Sequence, residues 1–517
     1  MTSGASDSPA TPQTARSGAY IGSFALAGRT IERLSSFGQV IIIASIYGST
    51  TSADLFFLAS IVPLTIGTVG GEALASSTLP TILRRLGHSE REAAAGLWLS
   101  VLALGVAVAV YVLVATVVVH RLKPAGSSST LPWLVFATIG VTLGLSAYLG
   151  SVLLAYERYA WPPLRGALAS FLGLVLLLLV APFTQSITAI ALAVAVGYAA
   201  SLGTLAYEAL RIVGGRELLA PTWTAVRRML SVRRPAAAAL LTGLFGGQAF
   251  VLAERALAAS AGVGATATIS YARGIAFAPN VVGQAIAAAH YPGMVRSFEA
   301  GRIDAVRERF VRGLRLTTFV TTIVICFYIL FGQWLVGALL QHGAFSPRSV
   351  HAVGSALLGF ALALLGNMLL IFGFRVFYSV DYFRASVWSQ LVVTVAYAIA
   401  APLLRHFVGL TGLAVAFSIA EVAGGLVAVE LARRRLLVSR LIIVRAAARA
   451  ALLGVLVSVP VAIVRLAALP TVHTERGRDL AVVCAGLLAI ALAAVAVSRT
   501  RWPESAAVRR TVTRRRR

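Results

Sequence analysis

Cysteine is almost missing from this chain: Cys326 and Cys484 are the only two in 517 residues, and neither has a His or Cys at metal-ligand spacing. A disulfide framework and a zinc centre are therefore unsupported, and no metal or cofactor is expected. Charge is scarce too, at 12% of residues, where a soluble domain carries about 25%. Acid is the scarcest part, with 19 Asp and Glu against 45 Lys and Arg. No nucleophile elbow, P-loop, zinc signature or pair of catalytic carboxylates stands on a soluble scaffold, so no enzyme is expected. A lipid-embedded glycosyltransferase is the main enzymatic competitor. It would present acidic motifs in sizeable polar loops, and the loops here are short.

Apolar residues are abundant, at 58% of the chain with a mean hydropathy of +0.85. Runs of about 20 apolar residues, enough to cross a ~30 Å hydrocarbon layer as a helix, recur from Tyr20 to Val497. The windows predict spans near 20–47, 53–83, 92–120, 130–156, 164–183 and 187–212. A second six follow near 236–260, 266–295, 313–341, 349–379, 385–404 and 410–432, and a last pair near 441–468 and 479–498. The fold class expected is an all-α polytopic membrane protein of about 14 transmembrane helices, two six-helix lobes plus two C-terminal helices.

The formal charge of +26 could suggest nucleic acid, but the arginines sit between the spans and mark topology instead. Basic residues follow the even-numbered spans: Arg84, Arg85 and Arg91, then Arg158 and Arg165, Arg211 through Arg234, Arg296 through Arg315, Arg384, Arg433 through Arg440, and the tail. These segments hold about thirty basic residues against roughly six in the opposite set, which predicts both termini in the cytoplasm. Residues 1–19 read as a disordered cytoplasmic N-terminus, 20–212 as the first lobe, 213–235 as a basic cytoplasmic linker and 236–432 as the second lobe. Residues 433–498 hold the final two spans and 499–517 a basic cytoplasmic tail. Arg29, Glu32 and Arg33 within the first apolar stretch argue against a cleaved signal peptide.

The halves echo each other. Gly71-Glu72-Ala73-Leu74-Ala75 leading to Pro80 is similar to Gly283-Gln284-Ala285-Ile286-Ala287 leading to Pro292, each in the second span of its half. Six is even, so the halves would share an orientation, as in parallel-repeat transporters.

Ionisable side chains inside spans are costly and normally face a bundle interior or a wet cavity. Arg29, Glu32 and Arg33 fall at i, i+3 and i+4 on one face of the first span, where a buried ion pair is the plain alternative to a ligand site. The second span carries Asp54 near its outer end and Glu72 deeper, beside Gly67, Gly70 and Gly71, which more often serve helix packing. Glu254 and Arg255 lie in the seventh span and Arg273 in the eighth, without an acid within one turn of Arg273. It needs a partner from another helix, water, or an anion whose oxygens match its planar fork. Arg445 reads as an interfacial anchor and His290 as packing rather than a proton carrier.

The run Ile46-Tyr47-Gly48, then Ala53-Asp54-Leu55-Phe56-Phe57-Leu58-Ala59 through Pro63 to Glu72-Ala73-Leu74 and Pro80, resembles the start of the MurJ/MviN lipid II flippases. Leu339-Leu340-Gln341-His342-Gly343-Ala344-Phe345 and Phe377-Tyr378-Ser379 resemble that family's ninth-to-tenth turn and the end of its tenth helix. The motifs belong to the wider multidrug/oligosaccharidyl-lipid/polysaccharide exporter superfamily. The resemblance implies two six-helix lobes around a cationic cavity, a groove from the last two helices for a polyprenyl tail, and alternation between inward-open and outward-open states. It aligns Arg33 and Arg273 with cavity arginines that hold the diphosphate, and Asp54, Glu72 and Glu254 with acidic positions of the family; the substrate-binding candidates are then Arg33, Arg273, Arg29, Glu72 and Glu254, and the gating or coupling candidates Asp54, Glu32 and Arg255. Where the family carries an Arg-Asp pair, arginines and an acid, this chain has Gln39 and Val40, Gly67 and Thr68, and Ala276, so it resembles a divergent member.

The function expected is translocation of lipid II or a related polyprenyl-diphosphate-linked glycan across the bacterial cytoplasmic membrane. Its partners would be that substrate, membrane lipids and cell-wall synthesis proteins, with no nucleic acid. A multidrug-type exporter of small molecules and a non-transporting scaffold derived from the flippase fold are the alternatives.

Overall fold

The computed structural model describes residues 12–70, 95–102, 131–156, 161–213, 253–382, 384–468 and 476–499, with a few single positions between them. The described residues form helices and turns without a strand, and the chain is an all-α multi-pass membrane protein. The helices are α1 (Pro12–Tyr47), α2 (Thr51–Thr65), α3 (Leu131–Ala155), α4 (Trp161–Val180), α5 (Ile187–Val213), α6 (Ala265–Phe277) and α7 (Asn280–Glu299). They continue with α8 (Ile303–Leu340), α9 (Pro347–Ser379), α10 (Arg384–Val408), α11 (Leu410–Leu436), α12 (Arg440–Ala468) and α13 (Arg476–Arg499). Among the described residues, eight helices are long and apolar enough to cross a membrane. Most of the predicted spans 92–120 and 236–260 lies outside the described residues, as does the stretch around Gly71–Pro80 that carries the internal echo.

Two predicted spans are broken. Near 53–83, α2 passes into a π-turn over Ile66–Gly70. Pro63 withholds a backbone N–H there and its ring crowds the preceding turn, which widens the helix locally. Near 266–295, α6 ends at Phe277 and α7 starts at Asn280, because Pro279 cannot donate into the turn before it.

Contacts divide the chain into two compact units. The first is drawn from Met1–Gln39, Val62–Lys123 and Ser129–Leu241. In it α5 packs along α4 and α3, closing a core of Tyr148, Leu149, Val152, Leu153, Leu205 and Ala209. Small residues let backbones meet: a Cβ on Gly67 would lie 2.5 Å from the Gly140 carbonyl oxygen, and one on Gly140 would lie 2.7 Å from that of Pro63. Along α1, Gln39 donates from Nε2 to the Ser170 carbonyl of α4 at 2.8 Å, and the Ser36 and Ser170 hydroxyls pair at 3.1 Å.

The second unit combines Val40–Ile61, Pro124–Ser128 and Thr242–Arg517. Here α9 and α11 pack most extensively, with α10 against α11 and α8 against both α9 and α12. At the α9–α11 crossing a side chain on Gly366 would run into the Glu421 backbone, so only bare backbone fits. At 38 residues α8 is about 57 Å long, well beyond a ~30 Å apolar layer. Its excess is the arginine-rich start, where Arg307 donates to Asp304 and, at 2.6 Å, to the Leu436 carbonyl that ends α11.

One end of this unit is an interlock of turns. Gly48 (φ +58°) sits with its Cβ position 2.5 Å from the Ala344 carbonyl oxygen, while Gly343 (φ +59°) abuts the Ser45 carbonyl and the Ala344 N–H donates to it at 2.8 Å. The Tyr271 hydroxyl donates to the Gly48 carbonyl at 2.9 Å, and its ring meets Phe57 and Phe345 edge-on. A side chain at either glycine would both collide and demand a left-handed backbone.

Candidate functional site

The charged positions of the second unit gather among helices that are otherwise apolar. Helical residues 253–259 carry Glu254 and Arg255, both buried. Arg273, one turn from the end of α6, reaches back and its Nη1 donates to Glu254 Oε2 at 2.6 Å. The Glu254 side chain is fully buried and that of Arg273 is 21% exposed, so the pair is open on the arginine's side. The partner that Arg273 needed does come from another helix.

Aromatic rings hold the guanidinium flat. Its carbon lies 4.4 Å from the Phe417 ring centre and 5.6 Å from that of Phe277, and Phe360 and Tyr397 buttress Phe417 at 5.5 and 5.8 Å. The electron-rich faces attract the cation where water is excluded. Arg255 turns to α6 instead, donating from Nη1 to the Thr266 carbonyl at 3.2 Å and to the Ser270 hydroxyl.

A second acid lies in the same unit. Glu421 of α11 is buried and accepts at Oε2 from Asn367 Nδ2 of α9 at 3.3 Å; Asn280 Nδ2 of α7 donates in turn to Asn367 Oδ1 at 2.8 Å. Glu254 Oε1 and Asn280 Oδ1 are buried without a hydrogen-bond partner. Two carboxylates and two guanidiniums thus share one lobe at formal neutrality, with unsatisfied acceptors beside them. An arrangement of that kind favours hydration or ligation over a dry core.

Asp54 serves elsewhere. Its carboxylate accepts from the Gly264 and Ala267 N–H groups at 2.6 and 2.7 Å, capping the start of α6 from α2. A negative charge belongs there, against unpaired amides at the positive end of a helix.

In the first unit Arg33 is exposed and makes no ion pair with any described residue. Glu32 is half-buried with its carboxylate against α4, where a Cβ on Gly166 would overlap it. Arg29 is exposed and has polar contacts of its own. Glu72 lies outside the described residues. Arg273, Glu254 and Arg255 therefore come together in one unit, Asp54 stands apart from them as a cap, and Arg29, Glu32 and Arg33 belong to the other unit.

The profile of the family described as lipid II flippase MurJ matches residues 43–474. The chain belongs to the MurJ family. A "Probable lipid II flippase MurJ" of Rhizobium meliloti (strain 1021) is 31% identical over 186 residues, 33% of this chain and 34% of that protein, so the aligned stretch spans about a third of the relative. The structure of lipid II flippase MurJ in its inward closed conformation superposes with a TM-score of 0.74 at 14% identity, covering 92% of this chain and 98% of that one. An inward-facing multidrug resistance MATE transporter of the MOP superfamily follows at 0.60 and 16%, over 78% and 94% of the two chains. The Vibrio cholerae MATE transporter VcmN gives 0.59 and 16%, over 82% and 99%. At such identities the structural likeness speaks for the fold.

Four of the residues expected to depart from the MurJ pattern make contacts within their own unit. Gln39 hydrogen-bonds the α4 backbone, Gly67 makes the crossing with α3, and the Thr68 hydroxyl donates to the Leu64 carbonyl of its own helix. Ala276 is fully buried next to Tyr328, whose hydroxyl donates to the Ile275 carbonyl at 2.8 Å.

Sequence reasoning did not single out Asn367, Asn280 or Phe417 as site residues. The signal was there: two asparagines in apolar helices, and a phenylalanine one turn before an intramembrane glutamate.

Proposed function

We propose that this MurJ-family chain moves a polyprenyl-diphosphate-linked cell-wall precursor, lipid II or a related lipid-linked glycan, from the inner to the outer leaflet by alternating access. The observation that carries the reading is Arg33, exposed and without an ion-pair partner among the described residues. It stands 14 residues before the Tyr47 end of α1, about 21 Å along the helix and so inside a ~30 Å apolar layer. A charged side chain at that depth costs about 2.5–3.5 kcal/mol unless water, an anion or a neighbouring polar group meets it. Arg273 supports the same reading, because Glu254 and Phe417 fix its plane while its open edge can still receive phosphate oxygens. Glu254 then acts as a positioning residue behind the arginine.

The membrane is a bacterial cytoplasmic membrane with both chain termini on the cytoplasmic side, and proteins of cell-wall synthesis are the natural partners. The residues that replace the family's further charges favour a related lipid-linked glycan over the principal precursor. Fewer cavity cations mean fewer charged hydrogen bonds, each worth about 1.5–3 kcal/mol.

Depleting the protein and identifying the lipid-linked intermediate that builds up on the inner leaflet tests the proposal. One such intermediate is expected, and its accumulation should recur in Arg33→Ala and Arg273→Ala backgrounds. Efflux of cationic dyes from vesicles without any such intermediate would instead favour the multidrug reading, and intact growth of both variants would favour the scaffold.

A further inference from the structure

The connections on the predicted outer side are poor in basic residues, yet two of those few meet at one cavity. Of the predicted outer connections of the second unit, the one ahead of α13 carries Glu475, Arg476 and Arg478, and three others, 260–266, 341–349 and 404–410, meet at this cavity. These three contain no Asp or Glu, and their only Lys or Arg are Arg348 and Arg405. Both line a cavity of about 540 Å³, a size suited to a small ligand, together with Ser49, Ser260, Thr268 and Ser349. Every lining residue belongs to the second unit.

The electrostatics favour an anion. Arg348 is exposed, Arg405 half-buried, and neither makes an ion pair with any described residue. The first residues of α6 and α11, Ala265 and Leu410, also line the cavity, as does Arg348 in the first turn of α9. Three helix starts therefore border it; those of α9 and α11 contribute positive dipole potential, while that of α6 is offset by the Asp54 carboxylate. The nearby acid, Asp54, is held on the Gly264 and Ala267 amides, where it offsets the α6 start rather than pairing with either arginine, and the Ser346 hydroxyl caps α9 by accepting from the Ser349 N–H at 3.2 Å. Gly409, which precedes α11, has no side-chain cap. The Ser49 hydroxyl is buried at the wall without a partner.

We propose that this cavity is an outward-facing receiving site for the phosphate oxygens of a lipid-linked diphosphate, engaged after the headgroup has crossed. Two guanidiniums forking onto phosphate match that chemistry, and the remaining volume has room for a first sugar. The inference rests on the flippase reading for the source of the phosphate, while the oxyanion chemistry stands on the cavity alone.

The test uses the full chain in phosphatidylcholine nanodiscs, titrated calorimetrically with inorganic pyrophosphate. Saturable binding is expected, weakened about tenfold or more in R348Q/R405Q at an unchanged melting temperature. The single variant R348Q, at an exposed position, is expected to show part of the loss if the double variant folds poorly. No binding by the native chain, or equal binding by both variants, overturns the proposal. Undecaprenyl diphosphate in the nanodisc should displace pyrophosphate more effectively than orthophosphate does; displacement by orthophosphate alone overturns the lipid-linked source. None of these readouts requires transport, so a separate assay of leaflet exchange in proteoliposomes tells failure of the flippase reading from failure of the site.

Discussion

Removing Arg273 alone from the Glu254–Arg273 pair should cost more than removing both members. Glu254 is fully buried, one of its oxygens already lacks a partner, and the other depends on Arg273 at 2.6 Å. Arg273→Gln strands an ionised carboxylate in an apolar lobe, a change worth about 3–5 kcal/mol. Arg255 lies next in sequence, but its guanidinium is committed to Thr266 and Ser270, so re-pairing would break two hydrogen bonds and places the loss toward the lower end. Glu254→Gln leaves Arg273 with 21% of its side chain exposed and two aromatic faces beside it, for a smaller loss of about 1–2 kcal/mol. The double variant E254Q/R273Q carries no stranded charge and should lose about 1–2 kcal/mol, leaving a coupling of roughly 2–3 kcal/mol. Equilibrium unfolding of the four proteins in mixed detergent micelles measures the cycle. Additive losses, with the double variant the least stable of all, would refute the idea that burial of Glu254 dominates.

Three further outcomes follow from packing. Gly343→Ala should lower the yield of folded protein and its melting temperature, through a left-handed backbone costing about 1–2 kcal/mol and a collision with the Ser45 carbonyl; detergent-solubilised thermal unfolding reads this. Asp54→Ala removes both acceptors from the start of α6 and should cost about 2–3 kcal/mol, with Asp54→Asn intermediate, by the same assay. Gly366→Val should separate α9 from α11, and a cysteine pair placed across that crossing should then cross-link more slowly than in the native background.

Much of the fold was legible in the sequence because membrane helices announce themselves by length and apolarity. The windows for α3, α5, α9, α11 and α12 agree with the observed helices to within a few residues. The breaks in α2 and between α6 and α7 were not read, although Pro63 and Pro279 stood in the sequence; apolar windows average over backbone geometry and do not register a missing N–H. Arg273 could be marked as lacking a local partner, yet its pairing with Glu254 spans 19 positions and depends on how helices cross. The glycines of the α1–α2 and α8–α9 turns were visible as family motifs, but their reason was not. It lies in backbone meeting backbone across nearly three hundred residues of chain.

That meeting has an evolutionary corollary. Gly48 and Gly343 each occupy the space beside the other turn's carbonyl, so neither turn can gain or lose a residue unless its opposite number shifts register in step. Insertions and tags should be excluded from 45–50 and 342–346 while being tolerated at the exposed bend of 181–186, and related chains of quite different length should keep these two bends at constant size.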